Sequence, residues 1–185
     1  MFTAQKQHDT KELFNVFIDD VVSKFKEHQD KFANFISQKF YCKEGHHPAE
    51  KKESQLFLII PKNYLAEIDT YVKRNQNFNN ENQIWCETCV KMTDMQLKVE
   101  SVEYPLNLTI YVPGNGSIGK LDHQIKLNND NYRLYAVICH AGSNLFGHYW
   151  AHLLKDGKWI GCNDNIVRES PPNLSNCYML FYSKN

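Results

Sequence analysis

The second half of the chain is a succession of short β-patterned segments separated by turn residues, which narrows the folds it can adopt. The dipeptide Asp156-Gly157 between two of these segments is a strong hairpin signal. Segments so close in sequence favour antiparallel pairing, so we predict an antiparallel sheet. Its expected strands are Met92–Glu100, Leu106–Val112, Tyr132–His140, Gly147–Leu154, Lys158–Gly161 and Tyr178–Tyr182.

The first half shows mainly helical patterns. Residues 9–28 carry apolar side chains at helical spacing, and Asp9 followed by Glu12 resembles a capping box. Helices that precede an antiparallel sheet predict an α+β fold. The remaining predictions are a short helix within Phe32–Phe40 that runs into an extended segment, a strand at Gln55–Ile60, a helix at Tyr64–Lys73 and a polar loop at Asn75–Gln83.

Composition limits the classes of protein. The chain has 185 residues, 42% of them hydrophobic, and a formal net charge of zero, which fits one folded domain and favours neither nucleic acid nor an anionic membrane. No apolar run approaches the roughly 20 residues of a membrane span, and the polar start resembles no secretory signal. We therefore expect an intracellular protein whose six cysteines do not form a disulfide framework.

One histidine lies in a setting suited to proton transfer. His148 follows Gly147 at the entry of a predicted strand, and Asn163 and Asp164 lie just after the return strand of the same hairpin. Pairing of the two strands can bring the Asn163 side chain to the His148 ring. A histidine oriented by an amide or carboxylate is the base half of a Cys-His-Asn or Cys-His-Asp triad.

The longer motif around His148 resembles the His box of ubiquitin-specific proteases. The segments YRLYAVICHAG (132–142), GHYWAHL (147–153) and CNDNIV (162–167) match it in order, and CYMLFYSK (177–184) resembles the closing strand. The resemblance implies that His148 is the general base, that Asn163 orients it and that Asp164 is the second acidic position. It also implies that Gly147 and Tyr149 line the channel for the ubiquitin tail.

The resemblance extends over nearly the whole chain but only over the latter part of a complete family domain. QHDTKELFNVFIDDV (7–21) resembles a helix of the family, with Gln7, Asp9 and Glu12 matching. It implies a truncated papain-like fold in one domain. Residues 1–40 would form the helical part, 41–105 trimmed fingers and 106–185 the palm sheet with the His box.

The finger region contains a candidate metal site. Cys86-x-x-Cys89 has the spacing of a zinc knuckle, and Cys42 lies upstream with His46 and His47. The resembled family often shares one zinc between two Cys-x-x-Cys pairs. Here Gly45 stands at the second upstream position, so His46 or His47 would complete a Cys3His zinc site. The alternative is a fingertip without metal.

The family's cysteine box has no counterpart in the sequence. None of the six cysteines stands in an Asn-x-Gly-Asn-Thr-Cys context, and the chain begins just before the helix that follows that box in the family. We therefore expect an inactive structural or interaction subunit of a larger assembly. Two alternatives are the C-terminal part of an active thiol-dependent deubiquitinase, with the nucleophile supplied elsewhere, and a receptor that binds ubiquitin without cutting it.

Overall fold

The first helix is fixed to the rest of the protein at its N-terminus. The structure is a computed structural model that describes residues 8–114, 121–143 and 146–185, so Gln7 and the polar start lie outside the described residues. Helix α1 spans Thr10–Lys24, and the Asp9 carboxylate caps it by accepting the Lys11 N–H at 2.7 Å. The Phe14 ring meets Phe181 of the last strand edge-on at 5.6 Å. The predicted helix therefore exists, but a short 3-10 helix, Lys26–Lys31, replaces its last turn.

The helix predicted within Phe32–Phe40 is wrong. From Asn34 on, the segment belongs to strand β1 (Asn34–Cys42), which pairs with β2 (Ala49–Gln55) on one side and with β5 (Lys91–Glu103) on the other. Hydrogen bonding along both edges outweighs the local helical pattern, because strand formation depends strongly on neighbours. The predicted helical part consequently ends before residue 34.

The predicted polar loop at Asn75–Gln83 is also wrong. Strand β4 (Gln76–Cys86) covers all but the first residue of this segment and pairs with β5, with a register shift between Phe78 and Gln83. Backbone hydrogen bonds to β5 hold this segment as a strand although its sequence has no alternation of apolar and polar residues. The described residues place β1, β2, β4 and β5 in one antiparallel sheet, in the order β2-β1-β5-β4. These strands are Asn34–Cys42, Ala49–Gln55, Gln76–Cys86 and Lys91–Glu103.

The second sheet contains the predicted strands from Leu106 onward, whereas the predicted strand Met92–Glu100 lies within β5 of the first sheet. The described order of the second sheet is β11-β10-β9-β8-β12-β6-β3, with β7 paired to β8, and every pairing is antiparallel except β3 with β6. The buried core lies on it and includes Leu108, Ile110, Leu134, Val137 and Leu180. The strands are β3 Leu58–Ile59, β6 Asn107–Tyr111, β7 Gln124–Leu127, β8 Asp130–Gly142, β9 Gly147–Lys155, β10 Lys158–Asn163, β11 Ile166–Glu169 and β12 Cys177–Lys184.

Two predicted elements differ in extent. The predicted strand Gln55–Ile60 is divided, since β2 ends at Gln55 and β3 covers only two residues. The predicted helix Tyr64–Lys73 contains a 3-10 turn, Lys62–Tyr64, and a short helix α2, Ile68–Val72. In the described part of the chain, no helix combines the length and apolar character that a membrane crossing requires.

Candidate active site and metal centre

The β9–β10 hairpin brings His148 and Asn163 together. Cys162 of β10 pairs with Ala151 of β9, and Asn163 therefore lies near the start of β9 on the same face as His148. His148 Nε2 is 2.5 Å from Asn163 Oδ1. The Asp164 carboxylate is farther, with its Oδ2 3.8 Å from the same nitrogen and its side chain 78% exposed. The close partner of the histidine is thus the amide.

This hydrogen bond fixes the state of the imidazole. An amide oxygen can only accept, so Nε2 of the neutral His148 ring carries the proton and donates it to Asn163. The Nδ1 atom then holds the lone pair. A group approaching from the Nδ1 side meets a proton acceptor, which is the requirement for a general base.

A tight turn between β10 and β11 supports this arrangement. Asn163 pairs with Ile166, which leaves Asp164 and Asn165 as the turn residues. Asp164 has a φ of +48°, in the left-handed region that Asp and Asn tolerate better than most residues. The turn holds Asn163 at the last position of β10, within reach of His148.

Gly147 and Tyr149 face a groove on the other side of β9. The groove has a volume of about 690 Å³, and its lining also includes Asp9, Tyr111, His140 and Tyr178. Successive side chains of a strand alternate between faces, which separates this pair from His148. A side chain at position 147 would overlap the His140 ring and lie 2.7 Å from the Ala141 carbonyl oxygen. Only glycine fits there.

Sequence reasoning missed a contact between two residues that line this groove. The Tyr178 hydroxyl donates to Asp9, with distances of 2.8 and 2.7 Å to the two carboxylate oxygens. Burial, and then the Asp9 carboxylate, raise the pKa of Tyr178, so it stays a donor. The signal was limited to a helix cap, and nothing in the sequence links residue 9 to residue 178.

The cysteines of the palm sheet have their contacts away from His148. Cys139 and Cys177 are buried, pair across β8 and β12, and both point their thiols at the Asn173 carbonyl oxygen, at 3.9 and 3.6 Å. Cys162 lies beside Asn163 in β10, on the opposite face of the strand. Cys42 and Cys86 end strands of the four-stranded sheet β2-β1-β5-β4, called the finger sheet, and Cys89 lies in its β4–β5 turn.

The finger sheet gathers four metal-ligating side chains at its tip. Cys42 ends β1, Cys86 ends β4, and Cys89 lies in the turn before β5. His46 follows a turn at Gly45, where φ is +85°, and its backbone carbonyl accepts the Cys42 N–H at 2.9 Å. The four ligand atoms all lie within 4.8 Å of one another. His46, not His47, is the histidine of this cluster.

The geometry of the cluster fits a tetrahedral ion. His46 Nδ1 is 3.4, 3.7 and 3.2 Å from the sulfurs of Cys42, Cys86 and Cys89, and Cys42 Sγ is 3.9 Å from Cys89 Sγ. Zinc bonds of about 2.3 Å to sulfur and about 2.0 Å to nitrogen separate tetrahedral ligands by roughly 3.5–3.8 Å. The residues present therefore can hold a metal ion.

The thiols of the cluster are electrostatically coupled. Burial, followed by hydrogen bonds with Cys86 and Cys42, raises the pKa of Cys89 to about 11. The backbone N–H of Cys89 is the main cause that lowers the pKa of Cys86. Several thiolates in one small space repel each other, and a bound divalent cation would reverse that repulsion.

Comparison with solved structures supports the fold. The SAGA DUB module of Ubp8, Sgf11, Sus1 and Sgf73 bound to monoubiquitin matches with a TM-score of 0.81 and 16% identity. The match covers 97% of this chain and 49% of the solved chain. The expected papain-like ubiquitin-specific protease fold is thus confirmed for the part that these residues cover.

Sequence comparison finds relatives that are named ubiquitin carboxyl-terminal hydrolases. Probable ubiquitin carboxyl-terminal hydrolase 4 of Schizosaccharomyces pombe is 29% identical over 46% of this chain and 16% of its own length. Ubiquitin carboxyl-terminal hydrolase 13 of Homo sapiens is 39% identical over 33% of this chain and 7% of its own. Ubiquitin carboxyl-terminal hydrolase 4 of Candida glabrata is 23% identical over 80% of this chain and 16% of its own length. The chain therefore spans only a small part of these relatives.

The family model described as ubiquitin carboxyl-terminal hydrolase matches residues 1–182, which is almost the entire sequence. The chain belongs to the ubiquitin carboxyl-terminal hydrolase family.

Proposed function

We propose that this chain supplies the base half of a thiol-dependent ubiquitin hydrolase site, whose nucleophilic cysteine lies on a segment outside these 185 residues. The observation that carries the proposal is the 2.5 Å hydrogen bond from His148 Nε2 to Asn163 Oδ1. It leaves Nδ1 as a proton acceptor, as a Cys-His-Asn site requires. Family membership supplies the substrate class, which is ubiquitin joined through its C-terminal glycine.

The proposed reaction has two stages. His148 Nδ1 takes the proton of the incoming thiol, and the thiolate attacks the carbonyl carbon of the terminal glycine. The C–N bond breaks, and the departing amine takes the proton from His148. Water then loses a proton to His148 and attacks the thioester. The C–S bond breaks, ubiquitin is released, and the departing thiolate takes the proton back from His148. Asn163 keeps the imidazole in one tautomer throughout.

The groove beside β9 is the proposed path for the ubiquitin tail. Gly147 and Tyr149 line it, and the space that a side chain at position 147 would need is occupied by the His140 ring, which is also part of the lining. The Asp9 carboxylate adds negative charge to the lining.

The metal centre has a structural role in this proposal. Zinc would bind Cys42, His46, Cys86 and Cys89 and join the ends of β1 and β4 to the turn before β5. A closed four-ligand site leaves no position for substrate, so a bound ion would contribute folding energy and no chemistry.

A second candidate function is a module that binds without cutting. All six cysteines lie in the described part of the chain, and their hydrogen bonds and strand pairings lie away from the His148 ring. Such a chain could hold ubiquitin or act as a subunit of a larger protein assembly. The solved neighbour is itself a multi-protein module.

Cleavage by the native assembly separates the two functions. The chain would be purified from its source cells through a tag, with everything that stays bound, and given ubiquitin carrying a fluorogenic amine at its C-terminus. We expect thiol-dependent cleavage that His148→Ala lowers by at least about a hundredfold. His123→Ala, an exposed histidine packed against Trp159 5.7 Å away, should change nothing. Cleavage that persists in His148→Ala would overturn the assignment, and binding without any cleavage would favour the second function.

A further inference from the structure

Trp150 stacks on the imidazole that carries the proposed base. The ring centroids of His148 and Trp150 are 5.9 Å apart and their planes differ by 20°. The two residues are two positions apart in β9, so their side chains leave the strand on the same face. Continuing the register of Cys162 with Ala151 also brings Asn163 alongside Trp150. The indole therefore borders both members of the hydrogen-bonded pair.

A buried histidine holds that indole in place. His152 is only 4% exposed, and its Nε2 accepts the Trp150 Nε1–H at 3.1 Å. Its Nδ1 is 3.0 Å from the Ser170 carbonyl oxygen, to which it donates. A neutral imidazole offers one donor and one acceptor, and both are used. Neither nitrogen remains for proton transfer, so the ring is a fixed structural acceptor.

Gly161 leaves room for the His152 ring. It pairs with His152 across β9 and β10, and an added Cβ would lie 3.2 Å from the ring atoms Cε1 and Nδ1 and 3.1 Å from Ser170 Oγ. These contacts are tight enough that the ring or the serine would have to move. The close fit at Gly161 thus restricts the orientation of His152.

We propose that Trp150 and His152 form a brace that holds the His148 ring in the orientation where Nε2 reaches Asn163 and Nδ1 faces the incoming thiol. Both act as positioning residues through His148. Asn163 alone fixes one ring atom, and the ring can still tilt about that contact. The indole face removes this freedom, and the buried His152 keeps the indole from swinging away. The inference rests on the proposed function, because only that function gives the orientation of the His148 ring a purpose.

The brace can be tested in the 185-residue chain without any nucleophile. A stacked indole shifts the NMR signals of the His148 ring protons through its ring current. We expect this shift in the parent chain and its loss in His152→Leu, which keeps Trp150 but removes the acceptor of its N–H. His152→Gln, which can present an amide oxygen near the Nε2 position, should retain most of the shift. Unaltered His148 signals in His152→Leu would overturn the proposal.

A second tryptophan provides the matched control. Trp159 lies on β10 and contacts His123, and like Trp150 it packs against the hydrophobic core. Trp159→Leu removes a comparable indole, so it should reduce stability while leaving the His148 ring-proton signals unchanged. Equal loss of those signals in Trp159→Leu and His152→Leu would show a general loosening of the sheet, which also contradicts the brace.

The effect on catalysis separates this inference from the proposed function. In an active native assembly, His152→Leu should lower kcat about ten- to a hundredfold with little change in KM, because misorientation of the base affects the chemical step. His152→Gln should recover most of the rate. Unchanged kcat in His152→Leu would overturn the brace. An assembly without cleavage would contradict the proposed function, while the NMR comparison would still decide whether the brace exists.

Discussion

The Tyr178 hydroxyl donates to the Asp9 carboxylate, which joins the start of α1 to the last strand, β12. The same carboxylate caps the helix through the Lys11 N–H. One acidic side chain therefore stabilises the helix start and fixes its position against the sheet.

Loss of this tie should destabilise the protein. We expect Tyr178→Phe to lower the free energy of unfolding by about 1–2 kcal/mol, because a hydrogen bond to a charged group in a partly buried site is removed. Urea denaturation measures the change. Combining Tyr178→Phe with Asp9→Ala should cost less than the sum of the two single changes, since they remove one shared contact. Strict additivity would show that the two residues are not coupled.

Asn163 should matter to the reaction through its oxygen atom. In an active native assembly, Asn163→Ala should lower kcat roughly ten- to a hundredfold because His148 loses the acceptor that fixes its tautomer. Asn163→Asp keeps an acceptor and should retain most of the activity. Asp164→Asn is the control, because that side chain is exposed and 3.8 Å from the ring. A larger loss in Asp164→Asn than in Asn163→Ala would reverse the assignment of the two residues.

The metal centre predicts a difference between two adjacent histidines. His46→Ala should weaken zinc binding, measured by metal analysis after dialysis against a chelator, because His46 Nδ1 lies 3.2–3.7 Å from the three thiols. His47→Ala should leave the zinc content unchanged, since its ring packs 5.4 Å from Tyr41 and lies outside the cluster. Chelation of the parent chain should lower its melting temperature. Zinc retained equally by both variants would contradict the four-ligand site.

Helix α1 predicts opposite results for two consecutive apolar residues. Phe17 is 63% exposed, next to exposed Leu13 and Val16, whereas Ile18 is 6% exposed. Phe17→Ser should change the free energy of unfolding by less than about 0.5 kcal/mol and reduce self-association in light scattering. Ile18→Ser should lower the free energy of unfolding by roughly 2–4 kcal/mol. If Phe17→Ser leaves self-association unaffected, the exposed apolar face of α1 is not the surface through which the protein self-associates.

The C-terminal hairpin was the most predictable part of the fold. Asp156 and Gly157 have φ values of +50° and +79°, as a tight hairpin turn requires, and the flanking strands pair as predicted. Both sides of the candidate site lie on elements with strong local signals, so the sequence was enough to place His148 near Asn163. The roles assigned to these residues stay predictions.

The errors lie where pairing between distant segments decides the structure. β2 is Ala49–Gln55, a polar and mostly exposed strand with no apolar alternation to reveal it. The first part of β4 also lacks apolar alternation, so its sequence predicts a loop. The contacts of Tyr178 with Asp9 and of His152 with Trp150 depend on packing geometry, which residue spacing alone does not specify. The metal cluster can be predicted from sequence because zinc is bound mainly by cysteine and histidine at characteristic spacings. Only the fold distinguishes His46, which lies in the cluster, from His47.

The most direct test of the base-half proposal uses ubiquitin with an electrophile at its C-terminus, added to the native assembly purified through this chain. Mass spectrometry then locates the modified cysteine. We predict an adduct on a cysteine outside these 185 residues, formed at a rate that His148→Ala greatly lowers. An adduct on one of the chain's own six cysteines, or one that forms equally fast in His148→Ala, would contradict the proposal.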